Sequence, residues 1–328
     1  MTTLSNNSAK AQAHTNIALI KYWGKKDEQL IIPYTSSLSL TLDRFYTQTT
    51  VRFNSDNDRD SVQINGQFIS GKAWQRVHDF LTIVRDLAGI HLAAEVSSTN
   101  FVPTAAGLAS SASAFAALAA AASKAAGLKL SKTDLSRLAR RGSGSACRSI
   151  FGGFVEWQRG TSDADSYAQP LSQVGLNDVK VIALTTESGP KPISSRQGMN
   201  RSVATSPYYP TWIKVAQHDL IDIKVAIAAG DFTKFGSISE LNAMRMHALT
   251  LSADPDFTYF NSETLAIMNE VKRLRHAGIE CYYTIDAGPN VKVIVQSANA
   301  TKIADTFTKL LGQNRVTTLS AGPGVHYL

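Results

Sequence analysis

Four stretches of this chain bring together side chains that hold anions or polarise bonds. Residues 16–25 read Asn16-Ile-Ala-Leu-Ile-Lys21-Tyr22-Trp23-Gly24-Lys25, an amide, two ammonium groups and two aromatic rings closing a strand-like apolar run. Ammonium groups at a strand end act as point charges toward a phosphate or carboxylate. Residues 103–113 carry Gly107, Leu108, Ala109, Ser110 and Ser111 just ahead of an alanine-rich segment. A glycine turn entering a helix offers unpaired N–H groups and the positive end of the helix dipole, which is phosphate-binding chemistry. It is not a Walker A loop, because Gly-x4-Gly-Lys-Ser/Thr occurs nowhere. Residues 140–153 alternate glycine and serine around Ser143, Ser145 and Arg148, after Arg140 and Arg141. This reads as an adaptable loop with hydroxyl donors, in which a guanidinium can grip a carboxylate or phosphate through two hydrogen bonds. Residues 284–290 set Asp286 beside a Gly288-Pro289 turn, where a carboxylate can serve as base or electrostatic stabiliser. Ser194-Ser195-Arg196 is a fifth, weaker cluster. Taken singly, each also fits an ordinary serine-capped helix, strand end or turn.

The charge balance narrows the ligand class. Lys and Arg total 33 against 26 acids, giving +7 and a pI near 9.3. Such an excess suits nucleic acid, an anionic membrane surface or a small polyanion. The basic residues form no long run and no tail; they stand beside glycine and serine, as Lys21, Lys25 and Lys26 do around Gly24. That placement favours a small phosphorylated ligand over RNA, which calls for aromatic residues interleaved with basic ones. The histidines show no paired metal-ligand spacing, and Cys147 and Cys281 are too few for a disulfide scaffold, so no protein-borne metal site is expected. The longest apolar run, residues 114–122, is far short of a membrane span, and residues 1–16 lack a signal-peptide core. A cytoplasmic location follows as an expectation.

Elements must position these groups. Residues 37–42 alternate Ser-Leu-Ser-Leu-Thr-Leu, the pattern of a half-buried strand. Residues 62–69 read as a hairpin turning on Asn65-Gly66. Helices are expected over 72–88, with Gly89 as the stop, over 110–126, and from a capping pattern at Ser131 to Gly142. The second of these carries ten alanines in seventeen residues, which demands close packing or a central position. After a β-rich run at 179–186, Pro190 and Pro192 suggest a boundary, giving domains 1–187 and 188–328. Beyond it, helical spacing at 211–229, 231–247, 261–277 and 300–311 and strands at 281–285, 291–296 and 316–319 predict an α+β sandwich.

Together these segments resemble the GHMP superfamily of small-molecule kinases, and within it the diphosphomevalonate decarboxylase family. Residues 14–25, 103–113, 142–149 and 286–290 match that family's motifs in order, so the resemblance spans residues 14 to 290. It implies an α+β, GHMP-kinase-like two-domain fold. The N-terminal domain would be a ribosomal-protein-like βαβ unit with a left-handed crossover, and the C-terminal one a ferredoxin-like α/β sandwich, with the active site between them. The implied activity is ATP-dependent decarboxylation of 5-diphosphomevalonate to isopentenyl diphosphate, ADP, phosphate and carbon dioxide, with Mg²⁺, in a homodimer. Carried over residue by residue, the resemblance puts Asp286 at the substrate's 3-hydroxyl, Lys21 beside it, and Arg148 on the carboxylate. Asn16, Tyr22, Lys25, Ser143, Ser145, Ser195 and Arg196 match substrate-binding positions. Ser98 and the run Gly107, Leu108, Ala109, Ser110, Ser111 match the nucleotide segment. Metal ligands are not evident, so Mg²⁺ is expected to be held by nucleotide oxygens and water. Three alternatives compete: a related kinase that phosphorylates mevalonate or a mevalonate phosphate and stops, a basic RNA-binding protein without catalysis, and a structural paralogue with a dead site, which the complete set of motifs disfavours. The kinase relatives are expected to lack the Lys21 and Asp286 pair.

Overall fold

The computed structural model describes residues 8–55, 58–101, 110–186 and 193–328, with the backbone alone at Ser110. Gly107, Leu108 and Ala109 therefore lie outside the described residues, as does the segment expected to hold the domain boundary. The first half runs through β1 (Ser8–Ile20), the short pair β2 (Lys25–Asp27) and β3 (Ile32–Pro33), and the long β4 (Ser37–Asn54). The hairpin β5 (Ser61–Ile64) and β6 (Gln67–Phe68), helix α1 (Gly71–Ala88) and β7 (Ala93–Phe101) follow. Helices α2 (Ser110–Ala125) and α3 (Lys132–Gly142), a 3-10 helix over Gly144–Ile150, β8 (Phe154–Trp157) and β9 (Ala168–Pro170) complete it. The second half contains β10 (Lys180–Leu184), α4 (Ser195–Thr205), α5 (Tyr209–Ala229), α6 (Phe232–Leu251) and α7 (Ser262–His276). It ends with β11 (Tyr282–Ile285), β12 (Val291–Val295), α8 (Ser297–Leu311), β13 (Val316–Ser320) and β14 (His326–Tyr327).

Two sheets organise the chain. The larger has the order β14-β1-β4-β7-β5-β6, with β8 and β9 branching from β4; the smaller is an antiparallel β11-β12-β10-β13. Helix α1 links β5 to β7, which pair in parallel, the βαβ unit of the first half. Strand pairing places β10, which precedes residue 187, inside the second sheet, and returns β14 to the first. The halves also share a core: Ile17, Leu19 and Leu40 pack with Val181, Ile223 and Ile294.

Local physics accounts for the elements. Asn65 (φ 51°) and Gly66 (φ 78°) both occupy the left-handed region that a type I′ turn requires. Gly89 stops α1 at φ 64°. The Ser131 hydroxyl accepts the Asp134 N–H to cap α3. Helix α2 runs through the middle of the first core, with Ala112, Ala116, Ala117 and Ala119 to Ala122 fully buried between β1, β4, α3 and the 3-10 helix. Methyl side chains allow that approach on several faces at once.

Three expectations change. Strand β4 is fully buried, not half-buried, over residues 37–42, because the 3-10 helix covers its polar face; Thr41 donates to the Phe151 carbonyl at 2.8 Å. Residues 144–150 form a buried helix, not an adaptable loop. Its flanking glycines serve close approach: a Cβ at Gly142 would stand 2.0 Å from the Phe115 ring. Helix α4, closed by a capping box between Ser194 and Gln197, was absent from the sequence reading. Among the described residues no helix is long and apolar enough to cross a membrane.

Candidate active site

A cavity of about 410 Å³ opens where the end of β1, the 3-10 helix, the start of α4 and the turn after β11 converge. Irregular pairing of β1 with β4 at His14/Asn16 and Ala18/Ile20 twists the strand end that carries Lys21. Lys21 is 1% exposed; its Nζ donates to Asp286 Oδ1 at 2.7 Å and to the Ala18 carbonyl at 2.8 Å. Its backbone N–H donates to Asn242 Oδ1 at 2.8 Å, and Asn242 in turn donates to Asp219 Oδ2 at 2.9 Å. A lysine in the first sheet is thus held by helices of the second half.

Asp286 begins the turn between β11 and β12, and about a quarter of its side chain is exposed. The turn is pinned from two sides: Thr264 donates to the Pro289 carbonyl at 2.7 Å, and Asn290 Oδ1 accepts the Thr186 N–H at 2.7 Å. Burial alone would raise the carboxyl's pKa, but Lys21, then Lys292 and Arg148, outweigh it and hold it down at about 2. Asp286 is therefore an ionised and weakly basic carboxylate at neutral pH.

Arg148 is 2% exposed. It donates to Ser37 Oγ at 2.6 Å and, through Nη2, to Asn16 Oδ1 at 3.2 Å. Among the described residues no carboxylate lies within ion-pair distance of it. A buried cation with neutral partners only is costly and awaits an anion. Asn16 is fully engaged, donating to the Ser145 carbonyl and Ser149 Oγ while accepting from Arg148, so it orients the guanidinium.

Tyr22, Lys25, Ser143, Ser145, Ser195, Arg196 and Ser111 also line the cavity. The Tyr22 hydroxyl is buried without a hydrogen-bond partner among the described residues, and burial pushes its pKa upward, so it remains a donor. Lys25 forms an ion pair with Glu28 at 2.6 Å, and Ser143 reaches Ser111 Oγ at 3.3 Å. Helix α4 presents Ser195 and Arg196 from its first turn. Among the described residues, five cationic side chains and one carboxylate thus face the cavity.

Some predicted residues fall elsewhere. Ser98 does not line this cavity; it is buried in β7 and its hydroxyl meets Thr49 Oγ1 at 3.0 Å. Arg140, part of the basic cluster in the sequence, is consumed structurally by the Leu30 and Ser166 carbonyls and by Asp163. Cys147 is buried, its thiol pushed up to about 12, and is chemically quiet. Two residues were missed. Arg76 of α1 lines the cavity, donates to the Gly142 carbonyl at 2.8 Å and lies 4.5 Å over the Phe115 ring. Nothing local marks it, because packing of α1 against α2 brings it in. Lys292 approaches Asp286 Oδ2 at 3.7 Å from β12. A lone lysine inside Val-Lys-Val-Ile-Val was a signal open to reading.

Among the described residues no three His, Cys, Asp or Glu side chains cluster as metal ligands. The one carboxylate facing the cavity is already held by ammonium groups, so the donor set suits a metal carried in on phosphate oxygens.

One mixed and one antiparallel sheet, with a cation-lined site where the two halves meet, define the class: a GHMP-kinase-like α+β enzyme fold. Residues 13–168 match the diphosphomevalonate decarboxylase-like N-terminal domain, and residues 181–323 the mevalonate 5-diphosphate decarboxylase C-terminal domain. The chain belongs to the diphosphomevalonate decarboxylase family. It is 36% identical to the diphosphomevalonate decarboxylase of Ganoderma lucidum, over 94% of this chain and 84% of the relative. Mevalonate diphosphate decarboxylase from Staphylococcus aureus superposes with a TM-score of 0.95 at 47% identity, covering 98% of both chains. A structure described as MDDEF in complex with MVAPP, AMPPCP and magnesium superposes with a TM-score of 0.94 at 48% identity, again over 98% of both.

Proposed function

We propose that this protein catalyses the ATP-dependent decarboxylation of (R)-5-diphosphomevalonate to isopentenyl diphosphate, ADP, phosphate and carbon dioxide. The observation that carries the reading is the pairing of Asp286 with Lys21 in a cavity where buried Arg148 has no acidic partner. The name and ligands of the solved relative support it, as a mevalonate diphosphate and an ATP analogue with magnesium bind there.

A 3-hydroxy acid does not lose carbon dioxide readily, because hydroxide is a poor leaving group. Transfer of the ATP γ-phosphoryl to the 3-oxygen, breaking its bond to ADP while the hydroxyl proton passes to a phosphate oxygen or water, makes a good one. The bond to the carboxylate carbon then breaks, its electron pair forms the double bond, and phosphate departs. Positioning and charge stabilisation supply most of such a rate. In this reading Asp286 orients the 3-hydroxyl and stabilises positive charge at carbon 3, a task suited to a weakly basic carboxylate. Lys21 fixes Asp286 and meets the incoming phosphoryl group. Arg148 holds the carboxylate, oriented by Asn16. Tyr22, Lys25, Ser143, Ser145, Ser195 and Arg196, joined by Arg76, surround the diphosphate. Ser98 and residues 107–111 serve the magnesium nucleotide.

The reading extends to a cytoplasmic homodimer. Cys147 and Cys281 are free thiols, which suits a reducing compartment, and the family's habit supports the dimer. The test is simultaneous assay of ADP and carbon dioxide after mixing protein, Mg-ATP and 5-diphosphomevalonate. Equimolar release is expected. ADP without carbon dioxide would make the protein a kinase, and release of neither would overturn the reading.

A further inference from the structure

Lys292 is 1% exposed, in a strand whose five residues are all buried. In the register of the second sheet it stands opposite Ala183 of β10 and Thr284 of β11. Val291, Val293 and Val295, the alternate residues of β12, pack into the core beneath α7 and α8, whereas Ile294 packs into the core shared with the first sheet. Lys292 shares that second face, which puts its side chain under the cavity floor. There its Nζ donates to the Asn290 carbonyl at 3.1 Å and stands 3.7 Å from Asp286 Oδ2. Lys21 holds the other oxygen, Oδ1. Leucine or valine would fill this interior position without the cost of stripping water from an ammonium group. The fold accepts that cost at a point where the charge stands beside the Asp286 carboxylate.

We infer that Lys292 is a positioning residue for the proposed reaction, the second ammonium of a two-lysine cradle that fixes the orientation and charge of Asp286. The inference rests on the functional reading above. Each oxygen of the Asp286 carboxylate has its own ammonium group, Oδ1 facing Lys21 and Oδ2 facing Lys292. The groups facing Asp286 come from several elements: Lys21 from the residue that follows β1, Lys292 from β12 and Arg148 from the 3-10 helix. His247 of α6 contacts the Ile285 carbonyl at 3.3 Å and is neutral, burial having lowered its pKa to about 3. With Lys292 gone, desolvation is opposed by fewer charges, so the carboxylate takes up a proton at higher pH than before.

The experiment is the pH dependence of kcat for Lys292→Met and Lys292→Arg beside the parent protein. For the methionine variant, the acid limb should move up by at least about one pH unit. Its kcat should fall about tenfold or more, with KM for the diphosphate substrate within about threefold, because the lysine acts through Asp286. Lys292→Arg, which keeps the charge, should leave the limb near its parent position. A uniform loss of kcat at every pH, or no change, would reduce Lys292 to a packing residue. Should the methionine variant not fold, the ¹⁵N shift of Lys292 Nζ in the parent protein decides: an ammonium near neutral pH is required, and a neutral amine overturns the inference. Failure of the parent itself to release carbon dioxide would instead remove the functional reading.

Discussion

In the proposed reaction Asp286 and Arg148 divide the chemistry between a carboxylate of low basicity and a buried cation with no acidic partner among the described residues. Asp286→Asn keeps the size and the turn but removes the charge that orients the hydroxyl. Turnover should fall several hundredfold, about 4 kcal/mol of transition-state stabilisation, while ATP binding measured by calorimetry persists. Turnover within about threefold of the parent would refute the assignment. Arg148 donates from three nitrogens, to Asn16 and Ser37 in the ground structure. A lysine lacks that planar fork, so Arg148→Lys should lose at least about tenfold in kcat/KM while the protein still folds, as its thermal transition would show. A fully active lysine variant would leave Arg148 a structural charge.

At the scale of elements, helix α2 sets the limits. Ala119 is fully buried and closely surrounded, so Ala119→Leu should destabilise the protein by about 1–3 kcal/mol or more, read from the urea midpoint. An unchanged midpoint would show that the helix has room. Helix α6 makes a different demand through His247, 1% exposed, with Nδ1 lacking a partner among the described residues. The unfolded chain takes up this proton near pH ~6.5, whereas the folded chain resists until about 3. Between these values the unfolded state binds more protons, so stability falls as pH falls, by up to about 1.4 kcal/mol per unit for this group. His247→Asn should flatten that slope in urea titrations across the window; an identical slope would mean that His247 charges inside the fold.

The elements also show which signals a sequence carries. Helices α1, α5 and α7, the Asn65-Gly66 hairpin and the strands of the second sheet were legible, because periodicity and end signals are local. The 3-10 helix was not. Its glycines and serines look like loop residues until Phe115, Trp157 and Tyr22 are seen pressing on Gly142 and Gly144. Arg140 and Arg148 illustrate the same limit: eight positions apart and alike in type, one is bound to Asp163 while the other faces the cavity. Only the tertiary fold separates them. Residues from the motifs at 16–25, 142–149 and 286–290 do converge on one cavity, but Arg76 came from a helix with no local mark.

For the whole molecule, the question is what the net charge of +7 serves. Its distribution gives an answer, since Lys21, Lys25, Arg76, Arg148 and Arg196 converge on one cavity with a single carboxylate facing them. A site of that kind should separate ligands by their phosphates. Charge-assisted hydrogen bonds contribute about 1.5–3 kcal/mol each. Two or three that only a diphosphate can make amount to a factor of at least several hundred in affinity. Unphosphorylated mevalonate must forgo them, while its carboxylate still reaches Arg148. Nucleic-acid binding would behave otherwise, with affinity for any oligonucleotide falling steeply with salt and no preference among mevalonate compounds. Calorimetric titration with 5-diphosphomevalonate, mevalonate and a short RNA at about 0.15 M salt separates these cases. The diphosphate should bind at least about a hundredfold more tightly than mevalonate, with no heat from RNA. Equal affinity for the first two would remove the diphosphate pocket, and tight RNA binding with neither small ligand engaged would assign the basic surface to another purpose.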